Sequence, residues 1–210
     1  MSSLVDQLAQ FKVVPVIEIN VLESAAPLAN ALVENGLPVA EVTFRSEIAA
    51  EALAIMKKTR PELLVGAGTV LTTEQMDKAI AAGADFIVSP GFNPKIVQYS
   101  QQRSIVMIPG VNSPSQIEQV MELGLTAVKF FPAEATGGVK FLKAILAPYK
   151  NIKVMPTGGI NAANILDYLA LPAVFACGGS WMVDKNLLDA GDFETLGGLI
   201  AEASAVVAKA

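Results

Sequence analysis

Short apolar, β-branched runs alternate along this chain with longer segments in which apolar residues recur every three or four positions. The runs are VVPVIEI from Val13, VAEVTF from Val39, LLVGAGT from Leu63, FIVSPG from Phe86, VMIPG from Val106, AVKFFP from Ala127, KVMPTGG from Lys153 and VFACGGS from Val174. Near-continuous apolar runs of this length suit strands buried on both faces of a parallel sheet, and the helical segment in each gap supplies the crossover that parallel neighbours require. ESAAPLANALVENG, TTEQMDKAIAAG, SPSQIEQVMELG and NAANILDYLA are such segments, opened by Ser, Thr or Asn and often closed by Gly, as capping chemistry prefers. Eight strand–helix units predict the α/β class and, by their number, a single closed (β/α)8 barrel. A doubly wound open sheet is the alternative, but the first run continues into EINVLES and not into a G-x-G-x-x-G turn.

Leu4, Leu8 and Phe11 stand at helical spacing and predict a short N-terminal helix within residues 1–12 that caps the barrel. No stretch rich in Pro, Gly or Ser interrupts the pattern, so residues 1–210 read as one domain. MSSLVDQLAQF has no cationic run before an apolar segment, and no uncharged apolar stretch reaches the roughly 18 residues that a membrane span needs. The expectation is a cytoplasmic protein.

Composition sharpens this picture in three ways. The chain is 52% hydrophobic and 17% charged, with mean hydropathy +0.48, which argues against long disorder and favours a buried subunit interface. Its net charge of -5, without a basic cluster, makes nucleic acid and anionic membranes poor partners, so an anionic ligand must be met by a local site. Cys177 is the single cysteine and the chain has no histidine. An internal disulfide is therefore impossible, and Cys177 reads as a small residue packed in a strand and not as an activated nucleophile. Lack of histidine also speaks against catalytic zinc.

Two runs carry charge where a barrel interior expects Val, Ile or Leu. Glu41 shares the parity of Val39, Thr43 and Arg45, and Lys129 shares that of Ala127 and Phe131. They occupy the second and sixth runs, and interior layers of such a barrel are built from alternate strands, so the two side chains can converge on the axis. One account is a buried structural ion pair, which is a poor source of stability compared with apolar packing. The other is a site. Desolvation disfavours an ammonium, and a neutral amine attacks a carbonyl, which makes Lys129 a candidate Schiff-base nucleophile. Glu41 is the candidate general acid and base beside it. Glu18, near the end of the first run, reads as a strand-edge surface acid.

PTGGIN and CGGSWM follow the last two runs, where phosphate-binding barrels hold their anion. Glycines let backbone N–H groups approach an anion, and a helix beginning near Asn161 adds a positive dipole end. Thr157, Gly158, Gly159, Gly179 and Ser180 are the candidate phosphate contacts; tight βα turns without a ligand are the other reading. A smaller anion near the amine suits Arg45, in bidentate fashion, with Thr69 of GAGTV. Arg45 also reads as a surface cation flanking a helix capped by Ser46.

Taken in order, EVTFRSE, VGAGTVL, SPG, KFFPAEATGGVK, PTGGI and GGSW resemble the motifs of the 2-keto-3-deoxy-6-phosphogluconate (KDPG) aldolases, the class I aldolases of the Entner-Doudoroff pathway. The resemblance covers nearly the whole chain. It implies a (β/α)8 barrel, a homotrimer, and chemistry that uses neither a metal nor an organic cofactor. It also implies that Lys129 forms the Schiff base, that Glu41 is the acid and base, and that Arg45 and Thr69 bind the pyruvate end. By the same resemblance Thr157, Gly158, Gly159 and Ser180 hold the phosphate, while Pro90 and Phe131 line the pocket. The reaction expected is cleavage of KDPG to pyruvate and glyceraldehyde 3-phosphate, with 4-hydroxy-2-oxoglutarate as a second substrate. The 2-dehydro-3-deoxy-6-phosphogalactonate aldolases are the nearest alternative, but they usually differ where EVTFR stands here. A phosphate-barrel epimerase or decarboxylase, or a noncatalytic sugar-phosphate sensor, forms no covalent adduct with a keto acid.

Overall fold

A computed structural model describes residues 3–210. Residues 1 and 2 of the segment predicted to form the N-terminal helix lie outside the described residues. The helix α1 runs over Leu4–Phe11 and is capped by Ser3, which accepts from the Asp6 backbone N–H while the Asp6 carboxylate accepts from the Ser3 N–H. The strands are β1 (Val13–Ile17), β2 (Val39–Thr43), β3 (Leu64–Gly68), β4 (Phe86–Val88), β5 (Val106–Ile108), β6 (Gly110–Val111), β7 (Ala127–Phe130), β8 (Lys153–Pro156) and β9 (Cys177–Gly179). Helices α2 (Ala25–Glu34), α3 (Ala49–Thr59), α4 (Thr73–Ala81), α5 (Pro94–Gln102), α6 (Pro114–Glu122), α7 (Gly138–Leu146), α8 (Ile165–Leu169), α9 (Lys185–Ala190) and α10 (Phe193–Val207) fill the connections.

Every strand pairing is parallel. One sheet has the order β5-β4-β3-β2-β1-β9 and the other β6-β7-β8. The fifth predicted run is divided between them at Pro109, which has no N–H to give to a ladder. Residues before the proline pair with β4, and Gly110 and Val111 after it pair with β7. The eighth run is likewise shared: Phe175 N donates to Val154 O of β8 at 3.1 Å, whereas Cys177–Gly179 pair with β1. The strand proper therefore starts three residues after Val174.

Alternation along the strands sorts their side chains into two cores. Val14, Val39, Phe86, Val88, Ile108, Ala127 and Met155 form an inner cluster, which α1 joins through its buried Leu8. Burying that leucine contributes about 2 kcal/mol. Val13, Val42, Val65, Ile87, Val128 and Val154 point the other way and pack beneath the helices. Gly66 is the space that Phe86 needs, because a Cβ there would lie 2.6 Å from ring atom Cδ2.

Local chemistry explains most helix starts and two departures from expectation. Thr72, Asn93 and Ser113 cap α4, α5 and α6 with their side chains, the last two followed by Pro at the first helical position. Ser46, expected as a cap, instead donates its hydroxyl to Ile19 O at 2.7 Å, and α3 begins only at Ala49. The helix expected near Asn161 begins at Ile165 and has 5 residues. The Asn164 side chain accepts from Asn161 N–H at 2.8 Å and donates to Gly159 O at 3.0 Å, while that of Asn161 accepts from Ala163 N–H at 2.9 Å and donates to Gly159 O at 3.4 Å, and this competes with helix. The dipole contribution expected at Asn161 is thus absent from that position.

Two outcomes test this packing. Gly66→Ala forces the Phe86 ring aside and lowers stability by about 1–3 kcal/mol, read from urea denaturation midpoints. Cys177 is fully buried, and burial pushes its thiol well above the ordinary range. Native protein is therefore inert to a thiol-specific disulfide reagent at mild alkaline pH, and unfolding in urea releases one reactive thiol per chain; rapid reaction of the native protein would contradict the packing.

Candidate active site

The strand ends that face the inner cluster's open side surround a cavity of about 640 Å³. Because Val128 and Phe130 point toward the helices, parity turns Lys129 inward from β7. Glu41 is turned inward from β2 by the same rule, with Ala40 and Val42 facing out. The two meet: Lys129 Nζ lies 3.1 Å from Glu41 Oε1, with side-chain exposures of 7% and 0%. They are 88 residues apart in sequence. Lys129 Nζ also lies 5.5 Å from the centroid of the Phe131 ring, whose negative face favours a nearby cation.

The surroundings of the pair are tightly fitted. Gly68, at the end of β3, leaves room for the carboxylate, since a Cβ there would fall 2.7 Å from Glu41 Cγ. Thr43, two residues beyond Glu41 on the same face, donates its hydroxyl to Ile17 O at 2.9 Å and ties β2 to β1. Among the described residues two buried side-chain oxygens have no hydrogen-bond partner, Glu41 Oε2 and Thr157 Oγ1. An unpaired buried oxygen costs about 1–3 kcal/mol, and both residues line the cavity. A ligand hydroxyl or phosphate is the kind of group that would satisfy them.

All eleven residues singled out from the sequence border this cavity. Thr69 follows β3 with φ +58°, a left-handed conformation that is strained for a β-branched residue. Pro90 and Phe131 stand on the walls. Across the cavity from Thr69, Thr157 leads into Gly158 and Gly159, with φ of +101° and +81° that glycine adopts readily. Gly179 and Ser180 complete that side.

Glu18 is corrected by the structure. Its carboxylate is not a bystander on the sheet edge; Glu18 lines the cavity and pairs with two cations. Lys185 Nζ lies 3.2 Å from one oxygen and Arg45 Nη1 3.4 Å from the other. The hydrogen bond from Lys185, assisted by the charges of Lys185 and Arg45, holds the Glu18 carboxyl below the usual carboxylate range. Both cations are more than half exposed, so these pairs are weak and easily exchanged for another anion. Arg45 accordingly borders the cavity while its side chain stays more than half exposed. Lys185, Asp184 and Trp181 also border the cavity and were not named as candidates from the sequence; Trp181 closes the GGSW motif, whereas Asp184 and Lys185 lie beyond it, where no run or motif marks them. Among the described residues, no three His, Cys, Asp or Glu side chains gather as a metal site, and no helix is long and apolar enough to cross a membrane.

Comparison with known proteins places this geometry. Residues 4–199 match the family described as "Aldolase: KDPG and KHG aldolase". A 2-dehydro-3-deoxy-phosphogluconate aldolase of Haemophilus influenzae is 51% identical over 199 residues, covering 95% of this chain and 94% of the relative. Among solved structures, a KDPG aldolase from Legionella pneumophila, with pyruvate captured as a covalent carbinolamine intermediate, superposes with TM-score 0.91 at 40% identity, over 95% of this chain and 97% of the other. The enzyme of Zymomonas mobilis ZM4, solved with 3-phosphoglycerate, gives TM-score 0.89 at 38% identity over 96% and 95%. Joined to the buried lysine–glutamate pair, these matches lead to one conclusion: the chain belongs to the KDPG and KHG aldolase family.

Proposed function

We propose that this protein is a class I aldolase that cleaves KDPG to pyruvate and glyceraldehyde 3-phosphate. The observation that carries the proposal is the buried contact of Lys129 with Glu41, whose second oxygen is unpaired, in a cavity that also holds Arg45 and two glycine turns. Lys129 passes a proton to Glu41, and its freed amine attacks the C2 carbonyl. Glu41 returns that proton to the departing hydroxyl of the carbinolamine, so that water leaves, the protonated imine forms and Glu41 is again a carboxylate. Glu41 takes the proton of the C4 hydroxyl as the C3–C4 bond breaks. Its electron pair passes into the imine to form an enamine, and glyceraldehyde 3-phosphate leaves. Glu41 then returns the proton to C3, and water releases pyruvate and the free lysine. The imine itself is the electron sink, so the scheme uses neither metal nor cofactor.

Arg45 and Thr69 hold the carboxylate next to the imine, between Pro90 and Phe131. Thr157, Gly158, Gly159, Gly179 and Ser180 receive the phosphate, whose binding fixes the scissile bond over Glu41. The carbinolamine captured in the Legionella relative and the 3-phosphoglycerate bound by the Zymomonas relative support these two ends. The family description supports 4-hydroxy-2-oxoglutarate as a second substrate. Bridges Val154–Val174 and Thr157–Gly178, with the run shared across Pro109, support closure of the sheets into one (β/α)8 barrel and a single domain. A cytoplasmic homotrimer, implied by the motif resemblance, completes the reading.

Borohydride reduction in excess pyruvate is expected to add a reduced pyruvyl group to Lys129, read by peptide mass spectrometry; an unmodified Lys129 in folded protein would sink the aldolase reading. Glu41→Gln is expected to keep the adduct while turnover falls by about 10²-fold or more, and normal turnover in that variant would remove Glu41 from its role.

A further inference from the structure

Behind the Thr157–Gly159 turn lies a side-chain pair that the reaction scheme does not use. Tyr168 of α8 is fully buried, and its hydroxyl donates to Glu134 Oε1 in the short 3-10 turn Glu134–Thr136. Glu134 itself continues the segment that leaves β7 five residues after Lys129. Its backbone N–H donates to Gly158 O at 3.0 Å, and that of Ala133 to Thr157 O at 2.8 Å. The Glu134 side chain then runs directly against the turn, so that a Cβ on Gly159 would lie 2.6 Å from Glu134 Cβ. A Cβ on Gly138 would lie 3.1 Å from Glu134 Oε1 and 3.4 Å from the Tyr168 hydroxyl, so the start of α7 also packs closely on the pair, while the rest of Glu134 is exposed.

We propose that Glu134 and Tyr168 are positioning residues that brace the Thr157–Gly159 turn from behind and so set affinity for the phosphorylated end of the substrate, an inference that rests on the aldolase reading. Two consecutive glycines with positive φ lose more backbone freedom on ordering than any other pair, and an anion-binding turn that must order on each encounter binds weakly. The brace supplies that order in advance. It joins the turn at two levels: the Glu134 backbone holds the Gly158 carbonyl, and the Glu134 side chain supports Gly159. Tyr168, nine residues beyond Gly159, locks that side chain from the helix that follows the turn. Burial and the Glu134 carboxylate push the tyrosine hydroxyl well above its ordinary range, so it remains a donor throughout the working pH. Neither side chain lines the cavity, and the pair acts through the turn.

The test separates the two ends of the substrate. Exchange of the pyruvate methyl protons with deuterium, followed by proton NMR, needs Lys129 and Glu41 but no phosphate contact; KM for KDPG needs both. In Tyr168→Phe the expected result is a KM for KDPG raised about tenfold, with kcat and pyruvate exchange each within about twofold of the parent, as loss of one hydrogen bond to a charged group implies. Glu134→Ala is expected to match it, whereas Glu134→Gln, which keeps a carbonyl acceptor for the tyrosine, restores KM. An unchanged KM in Tyr168→Phe overturns the brace alone. A parallel fall in KDPG turnover and pyruvate exchange also overturns it, by showing a general structural role. Parent protein that exchanges no pyruvate protons overturns the aldolase reading, and the brace with it.

Discussion

Lys129 and Glu41 face one another at 3.1 Å inside a sheet whose inner cluster is apolar, and much of the surrounding structure follows from that contact. Each charge taken from water costs several kcal/mol, and a mutual contact offsets this only where the geometry is good and the remaining polar atoms find partners. Here Glu41 Oε2 finds none. The pair is therefore a poor stabiliser of the fold, and this is what supports its proposed role as a reaction centre: a lysine held beside a carboxylate that keeps one oxygen unpaired, both at the wall of a cavity. Gly68 has no side chain because the carboxylate occupies that volume, and Thr43 fixes the strand end that presents it.

The strain of placing charge there is carried by the rest of the inner face. Away from the pair, Phe86, Val88, Ile108 and Met155 are buried in one apolar cluster, and α1 brings Leu8 onto them. Around the outside, the alternate residues of the same strands anchor the helices. The cavity thus opens at the carboxyl ends of the strands, where the apolar filling stops and the loops begin. The same arrangement supports the proposal that this acidic chain takes an anionic ligand. Arg45 and Lys185 are held at the cavity by Glu18 through weak, exposed pairs, and the glycine turns contribute backbone donors that carry no net charge.

Much of this was legible in the sequence because it depends on period and parity. The eight runs reappear as parallel strands, and the inward parity of Glu41 and Lys129 brings them together as the spacing implied. Where side chains made unusual bonds to backbone, sequence reading failed. Ser46 turned away from its helix to Ile19 O, and Asn161 and Asn164 delayed α8 by holding the preceding turn. Glu18 looked like a surface acid because parity says which face a residue takes but not what comes to meet it from distant elements. Its partner Lys185 is 167 residues away.

The sequence by itself determined the alternation of elements, the faces of each strand, and the presence of a lysine and a glutamate with nowhere apolar to go, since these follow from local periodicity and the cost of burying charge. Tertiary structure alone decided which distant groups share a hydrogen bond: the meeting of Glu18 with Arg45 and Lys185, the division of one run at Pro109 between two sheets, and the seating of Tyr168 against Glu134 behind the glycine turn. Such contacts depend on distances between elements to within an ångström, and those distances are set by how side chains fill the two cores together, a property of the packed whole and not of any segment.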